Sequence, residues 1–169
     1  SMAVTSSGRS SISNTMRNTA GWFAAIDLAM FCIRMVLPTR GGAKAVAAAT
    51  GAYSMVHQQF GIPIGRMEGV EDKVGKIAGL SYLLEASRVF NCSALDAGQE
   101  PPVTSAILKA YTTELSRQLI IDGMDVFSGA GVMQGPNNIL GIGYSTAPVG
   151  VTVEGANILT RTLITFAQG

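Results

Sequence analysis

Apolar residues recur along most of the chain with a helical period rather than a strand period. Two long stretches show it most clearly, Glu68 to about Leu95 and Pro101-Pro102 to about Val126. In both, apolar positions fall three and four residues apart, as on one face of a helix. The first stripe comprises Val70, Val74, Ile77, Leu80, Tyr82, Leu84 and Val89, and the second comprises Ile107, Leu108, Tyr111, Leu115, Leu119 and Met124.

Further helices are predicted on either side of these two. One covers Ala20–Val36 and another covers Gly41–Gln59, which is built almost entirely of small residues. A sharp break follows at Ser128–Gly131, then a loop with at most one short helix over Pro136–Pro148, and a last helix from about Thr152 to Ala167. No segment alternates like a strand. The pattern predicts an all-α protein, a four-helix bundle with room for one extra N-terminal helix.

Composition narrows the function classes. The 169 residues suit one domain. Twelve basic and eleven acidic residues leave a net charge of +1, which argues against nucleic-acid binding. The chain is 47% hydrophobic, which argues against disorder. Only 14% of residues are charged, against about 25% in an average soluble domain. So few charges cannot coat the whole surface, and we expect some faces to be covered by other molecules.

The cysteines and the histidine predict no metal site. Cys32 and Cys92 are far apart, and His57 is the single histidine, so no zinc-ligand spacing exists. Two buried thiols suit a reducing compartment. The most apolar run, Gly21–Leu37, is shorter than a membrane span, and no signal-type cleavage site follows it. We expect a cytoplasmic protein, with inner-membrane association of the full-length protein, or surface attachment through this run, as alternatives.

Glu154 is the most conspicuous candidate for chemistry. From Val126 to Gly169 only Glu154 and Arg161 are charged. A carboxylate in apolar surroundings loses solvation, which moves its pKa toward the range of a general base. The alternative is a first-turn Glu that only complements a helix dipole.

Other conspicuous residues have simpler interpretations. The Gly129-Ala130-Gly131 stretch would let backbone approach a phosphate, but no strand precedes it, so an ordinary turn is the simpler explanation. His57 on a mostly apolar helix suits a core or capping position. The acidic residues near Glu68, with Lys73 and Lys76, suit a solvated helix face.

Several longer motifs then occur in a consistent order. They are Gly42-Ala43-Lys44-Ala45-Val46, Ala49-Thr50-Gly51-Ala52-Tyr53, Gln59-Phe60, Ile62 to Gly69, Ile120 to Asp125 and Val153 to Arg161. Through them, residues 37–169 resemble the acyl-CoA dehydrogenase family, most of all its large bacterial FadE-type branch. The resemblance implies the C-terminal four-helix domain of such an enzyme. The N-terminal helical domain and the middle β-domain of the enzyme would lie outside this chain.

The resemblance also implies an activity. Family members bind FAD between the middle and C-terminal domains and oxidise a fatty acyl-CoA to a 2-enoyl-CoA. The electrons pass to an electron-transfer flavoprotein, and the enzymes are homo-oligomers. The isolated domain is expected to be inactive and not to retain FAD. A non-catalytic helical module for oligomerisation or interaction is the alternative.

Site residues carry over position by position. Glu154 matches the catalytic base of the family's Glu-Gly motif, and Gly155 permits close approach to the ligand. Phe60 and Gln59 match flavin-contacting positions, Phe60 across the dimer interface. The Gly-rich turn that approaches the FAD diphosphate from the partner subunit corresponds to Ser128, Gly129 and Gly131.

Three site positions depart from the family pattern. His57 stands where an Arg commonly binds the diphosphate, and Ala156 stands where many relatives have a hydroxyl residue. Ser128 interrupts the usual paired glycines. These departures weaken the expected affinity for flavin more than they affect the chemistry.

The front of the chain departs furthest. Ser1-Met2 look like residues left by tag removal, and residues 14–36 have no recognisable counterpart in the family. We therefore expect residues 1–36 to be a leader, with one helix at most, and residues 37–169 to be the domain.

Overall fold

The computed structural model describes residues 41–99, 102–153 and 155–167. In this part of the chain the structure is almost entirely helical, which confirms the predicted all-α class. The elements are α1 (41–56), β1 (Gln58–Gln59), β2 (Ile62–Pro63), a 3-10 turn (Ile64–Arg66), α2 (Glu68–Asp96), α3 (Pro102–Phe127), α4 (Gly129–Val132), α5 (Ile139–Thr152) and α6 (Asn157–Ala167). The helix predicted over Ala20–Val36 lies outside the described residues.

Both long helices lie where the periodicity placed them. The end of α2 is set by Gly98, whose φ of +74° suits a residue without a side chain, and whose N–H donates to the Leu95 carbonyl. The first residue of α3 is Pro102, a position where the missing N–H of proline costs nothing. These two signals explain why the predicted bounds agree with the structure to within one or two residues.

The centre of the bundle is α3, which packs against α2, α4, α5 and α6. It also contacts α1, since a Cβ on Gly123 would meet Val46. The most deeply buried large side chains are Ile77, Leu119 and Leu140, one each from α2, α3 and α5. The core is therefore formed where these three helices face one another.

The predicted apolar stripes are wrong at some positions. Tyr82 on α2 is 79% exposed, and Tyr111 on α3 is 65% exposed. The first half of α3 instead buries three polar residues four positions apart, Ser105, Lys109 and Thr113. Their hydrogen bonds to other parts of the bundle compensate for the lost solvation.

The helix predicted over Gly41–Gln59 ends earlier, at residue 56, and a tight hairpin follows. Gln58 pairs with Pro63, and Gln59 pairs with Ile62. Phe60 and Gly61 form the two-residue turn, and both have positive φ, as the favoured hairpin turns require. This short ladder was not predicted, because two-residue strands are too short to show an alternating pattern.

The segment Pro136–Pro148, predicted as a loop with at most one short helix, is helical from Ile139 onward and belongs mostly to the 14-residue α5. The side chain of Asn138 accepts hydrogen bonds from the backbone N–H groups of Leu140 and Gly141 and so caps the helix. Pro148 lies inside α5. The last helix begins at Asn157 rather than near Thr152, after Gly155 with φ of +90°.

Candidate functional site

An aromatic stack joins the end of α1 to the end of α3. The Tyr53 ring lies between His57, with centroids 4.9 Å apart and planes 11° apart, and Phe127, with centroids 4.3 Å apart and planes 14° apart. Phe127 immediately precedes Ser128. The structure therefore brings the predicted site residues of the hairpin and of the Gly-rich turn to the same end of the bundle.

The hairpin presents its polar and aromatic residues outward. The Gln59 Nε2 atom lies 3.3 Å from the His57 Nε2 atom. Phe60, at the tip, is 94% exposed. The ring is therefore available to pack against another molecule.

The Gly-rich turn is tight on one side and open on the other. Ser128 has φ of +51° and ψ of −129°, and its N–H donates to the Met124 carbonyl. A Cβ on Gly131 would lie 3.0 Å from the Met124 carbonyl oxygen, whereas a Cβ on Gly129 would meet nothing within 4 Å. Gly131 is thus required by packing, and the backbone at Gly129 is open to approach.

Gly155 and Ala156 lie elsewhere, in the connection between α5 and α6. The Gly155 carbonyl accepts a hydrogen bond from Lys109 Nζ at 2.5 Å and one from Thr160 Oγ1 at 3.3 Å. Ala156 is partly buried, and its carbonyl accepts the Thr160 N–H. Glu154 lies outside the described residues, so its role as the base remains a prediction.

The sequence motifs assign no role to Lys109 or Asn157. Lys109 is 5% exposed, and its Nζ also donates to Asn157 Oδ1 at 2.7 Å. Asn157 Nδ2 donates to Thr113 Oγ1 at 2.9 Å, and Thr113 Oγ1 donates to the Lys109 carbonyl at 2.8 Å. The signal that could have found this network is the four-residue spacing of Ser105, Lys109 and Thr113 along α3.

The two groups of predicted cofactor residues are well separated. The hairpin and the Gly-rich turn adjoin Phe127 at the end of α3. Gly155 and Ala156 instead lie beside Lys109, near the start of α3. The two positions are 18 residues apart on one helix. At 1.5 Å per residue this is about 27 Å. The two groups therefore do not form one pocket within the chain.

A polar cluster connects α2 to α3. Glu68, Glu71, Asp72 and Lys76 are exposed, as predicted for a solvated helix face, but Lys73 and Lys76 also pair with a buried carboxylate of α3. Lys73 Nζ lies 2.7 Å from Asp122 Oδ1, and Lys76 Nζ lies 2.8 Å from Asp122 Oδ2. Burial alone would raise the pKa of Asp122, but hydrogen bonds from Lys73, Lys76 and Gln118 outweigh it and lower that pKa. The hydrogen bonds that Lys73 donates to Asp122 and Asp125 raise the pKa of Lys73 to about 12.

A mostly apolar groove of about 380 Å³ lies between α1, α3 and α5. Its lining includes Ala43, Leu119, Ile120 and Val149. None of the predicted cofactor-binding residues contributes to it. Thr113 also lines the groove and accepts a hydrogen bond from Asn157, so the groove adjoins the Lys109 network.

The described part of the chain contains neither a cluster of metal ligands nor a membrane-spanning helix. No three His, Cys, Asp or Glu side chains there lie close enough to bind a metal ion together. None of the helices in residues 41–99, 102–153 and 155–167 is long and apolar enough to cross a membrane.

Comparison with known proteins gives a consistent result. The family model "Acyl-CoA dehydrogenase, C-terminal domain" matches residues 22–167. That range includes residues 22–36, for which the sequence alone showed no counterpart.

Solved structures share the fold at low identity. The acyl-CoA dehydrogenase from Geobacillus kaustophilus has a TM-score of 0.77 and 18% identity over 83% of this chain and 37% of its own. The butyryl-CoA dehydrogenase from Megasphaera elsdenii has a TM-score of 0.76 and 19% identity over 86% and 37%. The FAD complex of PigA has a TM-score of 0.71 and 22% identity over 78% and 34%. This chain thus spans little more than a third of each of these proteins.

Proposed function

The chain belongs to the acyl-CoA dehydrogenase family, whose C-terminal domain it matches over residues 22–167, and on this premise we propose that it supplies the catalytic base of a flavin-dependent dehydrogenase. The proposed reaction is the α,β-dehydrogenation of a fatty acyl-CoA to a 2-enoyl-CoA, as in the FadE-type branch. The observation that carries the proposal is the family match, which includes the Glu154-Gly155 pair.

Glu154 is proposed to take the α-proton of the substrate. A thioester makes this proton more acidic, and the enolate oxygen that develops needs hydrogen-bond donors. By family resemblance the Glu154 N–H is one such donor, and Gly155 lets the substrate approach the backbone. When bound, FAD would supply the acceptor for the β-hydrogen, which leaves as hydride with its bonding electron pair. The sequence around Glu154 is poor in charged residues, and the fold brings one cation, the Lys109 ammonium group, to the adjacent Gly155 carbonyl.

The end of the bundle near Phe127 has features that fit a flavin nucleotide. The exposed Phe60 ring suits a flat apolar ring system, and the open backbone at Gly129 suits a diphosphate. His57 and Gln59 provide polar atoms beside them. Gly131 and Ser128 would shape the turn, and Ala156 at the other end would flank the catalytic pair.

The separation of about 27 Å along α3 supports a homo-oligomer. One chain cannot direct both groups at the same part of one FAD molecule. We therefore propose that the hairpin and Gly-rich turn contact the FAD of a partner subunit, while Glu154 acts at the chain's own FAD. Middle β- and N-terminal helical domains would complete each site, and an electron-transfer flavoprotein would accept the electrons.

The first experiment uses the chain alone. We expect the purified protein to show no visible flavin absorbance and no acyl-CoA oxidation, because most of the flavin site would lie in other domains. Robust turnover by the 169-residue chain would refute this part of the proposal.

The second experiment tests the base in the full-length enzyme. Glu154→Gln should lower kcat by several orders of magnitude while flavin stays bound, because the amide cannot take a proton. Glu68→Gln, at an exposed position in the first turn of α2, is the matched control and should leave kcat unchanged. Equal activity of the two variants would exclude Glu154 as the base.

A third experiment tests the flavin-contacting end. Phe60→Ser should reduce the flavin retained by the full-length enzyme without lowering its thermal stability, because the ring is almost fully exposed. Tyr82→Ser removes a ring that is also highly exposed, from α2, and should retain flavin normally. Loss of flavin in both variants would indicate a general defect instead.

A non-catalytic interaction module is the second candidate. It is favoured by exposed apolar side chains such as Phe90, Ile142 and Ile158. On this alternative the chain self-associates in analytical ultracentrifugation, and Glu154→Gln changes neither that association nor any activity of the longer protein.

A further inference from the structure

Lys109 places a positive charge inside the bundle. Its exposed fraction is 5%, and its Nζ donates to the carbonyl oxygens of Gly155 and Val151 and to Oδ1 of Asn157. The distances are 2.5 Å, 3.5 Å and 2.7 Å respectively. Burying an ammonium group costs free energy unless hydrogen-bond acceptors such as these surround it.

These acceptors all lie within three residues of position 154 in the sequence. Val151 is in the last turn of α5, Gly155 lies in the connection, and Asn157 is the first residue of α6. Through these hydrogen bonds Lys109 ties the end of one helix, the connection and the start of the next helix to α3.

The side chains around Lys109 are also fixed by hydrogen bonds. Asn157 Nδ2 donates to Thr113 Oγ1 at 2.9 Å and to the Ala110 carbonyl at 3.3 Å. Thr113 lies one turn after Lys109 and donates to its carbonyl. The amide of Asn157 is therefore oriented with its oxygen toward the ammonium group and its nitrogen toward α3.

We propose that Lys109 is a positioning residue that fixes the α5–α6 connection and thereby sets where the Glu154 side chain is presented. The part concerning Glu154 rests on the proposed function. A methionine would fill the same space but would donate no hydrogen bond to Gly155 or Asn157. An apolar core alone would therefore leave the connection without these ties.

The test compares two lysine-to-methionine variants of this chain. Lys109→Met should speed amide hydrogen exchange in residues 151–160 by about 10- to 100-fold, since hydrogen bonds to a charged group are lost. Lys73→Met also removes a bonded lysine, but at the α2–α3 interface. It should leave exchange in residues 151–160 unchanged relative to the rest of the chain.

A purely structural role predicts a different pattern. If Lys109 only stabilises the fold, Lys109→Met raises exchange throughout the core and residues 151–160 do not stand out. That result would overturn the proposal. If Lys109→Met does not fold, Asn157→Ala removes one acceptor and should raise exchange in the same stretch selectively. A uniform response there would likewise overturn the proposal.

Kinetics of the full-length enzyme separate this inference from the proposed function. Lys109→Met should lower kcat about 10- to 100-fold with little change in KM, and Lys109→Arg should recover part of the loss. A selective exchange effect without any Glu154-dependent activity would refute the proposed function and leave the positioning role intact. Normal kcat in Lys109→Met alongside an inactive Glu154→Gln would refute the positioning role alone.

Discussion

The Lys73 ammonium nitrogen lies 2.7 Å from Oδ1 of Asp122, and the Asp122 side chain is fully buried between α2 and α3. Lys76 approaches the other carboxylate oxygen at 2.8 Å, and Gln118 Nε2 donates to Oδ1 at 3.2 Å. Asp125 reaches the same lysine at 3.0 Å but is 56% exposed. The cluster thus contains three ion pairs, and its two carboxylates differ mainly in burial.

Asp122→Asn should destabilise the chain by about 1–3 kcal/mol, because hydrogen bonds to a buried charged group are replaced by weaker ones. Asp125→Asn should change the free energy of unfolding by less than about 1 kcal/mol, since exposed ion pairs contribute little. Urea unfolding of both variants measures the difference. Equal effects would show that burial of Asp122 does not determine its contribution.

The stability of the chain should fall in acid through Asp122. Because its folded pKa is lowered, its contribution is present above the ordinary Asp pKa of about 3.9 and is lost as pH falls through the folded value. In Asp122→Asn, the urea midpoint should decline less between pH 7 and pH 3. In Asp125→Asn, most of the decline should remain. An unchanged decline in Asp122→Asn would contradict the assignment.

Gly123→Ala should destabilise the chain although alanine favours helices. The new Cβ would lie 2.8 Å from Val46 Cγ1, and a β-branched side chain on α1 cannot move away cheaply. We expect a net cost of about 1–2 kcal/mol from overpacking. Gly75→Ala, in open space on α2, should instead stabilise by about 0.5–1 kcal/mol. Thermal unfolding of the pair tests the opposite signs.

Ser128→Gly should stabilise the isolated chain by about 1 kcal/mol, because only glycine adopts φ of +51° with ψ of −129° without strain. Ser128→Ala keeps the strain and removes no capping hydrogen bond, so it should be close to neutral. Equal stabilities of the two variants, measured by urea unfolding, would show that the backbone there is relaxed.

Sequence patterns located the helices best where strong local signals mark their ends. Pro102 and Gly98 delimit α3 and α2, and no distant contact is needed to place them. The prediction for α5 was wrong because its glycines and Pro148 disfavour a helix locally. Packing on α3 and the bonds made by Asn138 outweigh that preference. Such compensation depends on residues that are remote in sequence.

In the candidate site too, local motifs could be found from the sequence, whereas contacts between remote residues could not. Motifs located His57, Phe60 and the Gly-rich turn, but not that Tyr53 stacks between His57 and Phe127. Lys109 was missed because a lysine within an apolar helix normally reaches solvent. Its acceptors lie more than 40 residues later in the chain and become apparent only in the folded bundle.

Asn138 uses its whole amide to join two segments. Its Nδ2 donates to the carbonyls of Gly131 and Met133, both at 2.7 Å, while its Oδ1 accepts from the first turn of α5. The other end of α5 is tied to Lys109 through the Val151 carbonyl. The single 14-residue helix α5 therefore links the Gly-rich turn, which is predicted to approach a diphosphate, to Thr152, two positions before the predicted base Glu154. A substitution that shifts α5 at its Asn138 end is therefore expected to shift the chain just before the predicted base as well.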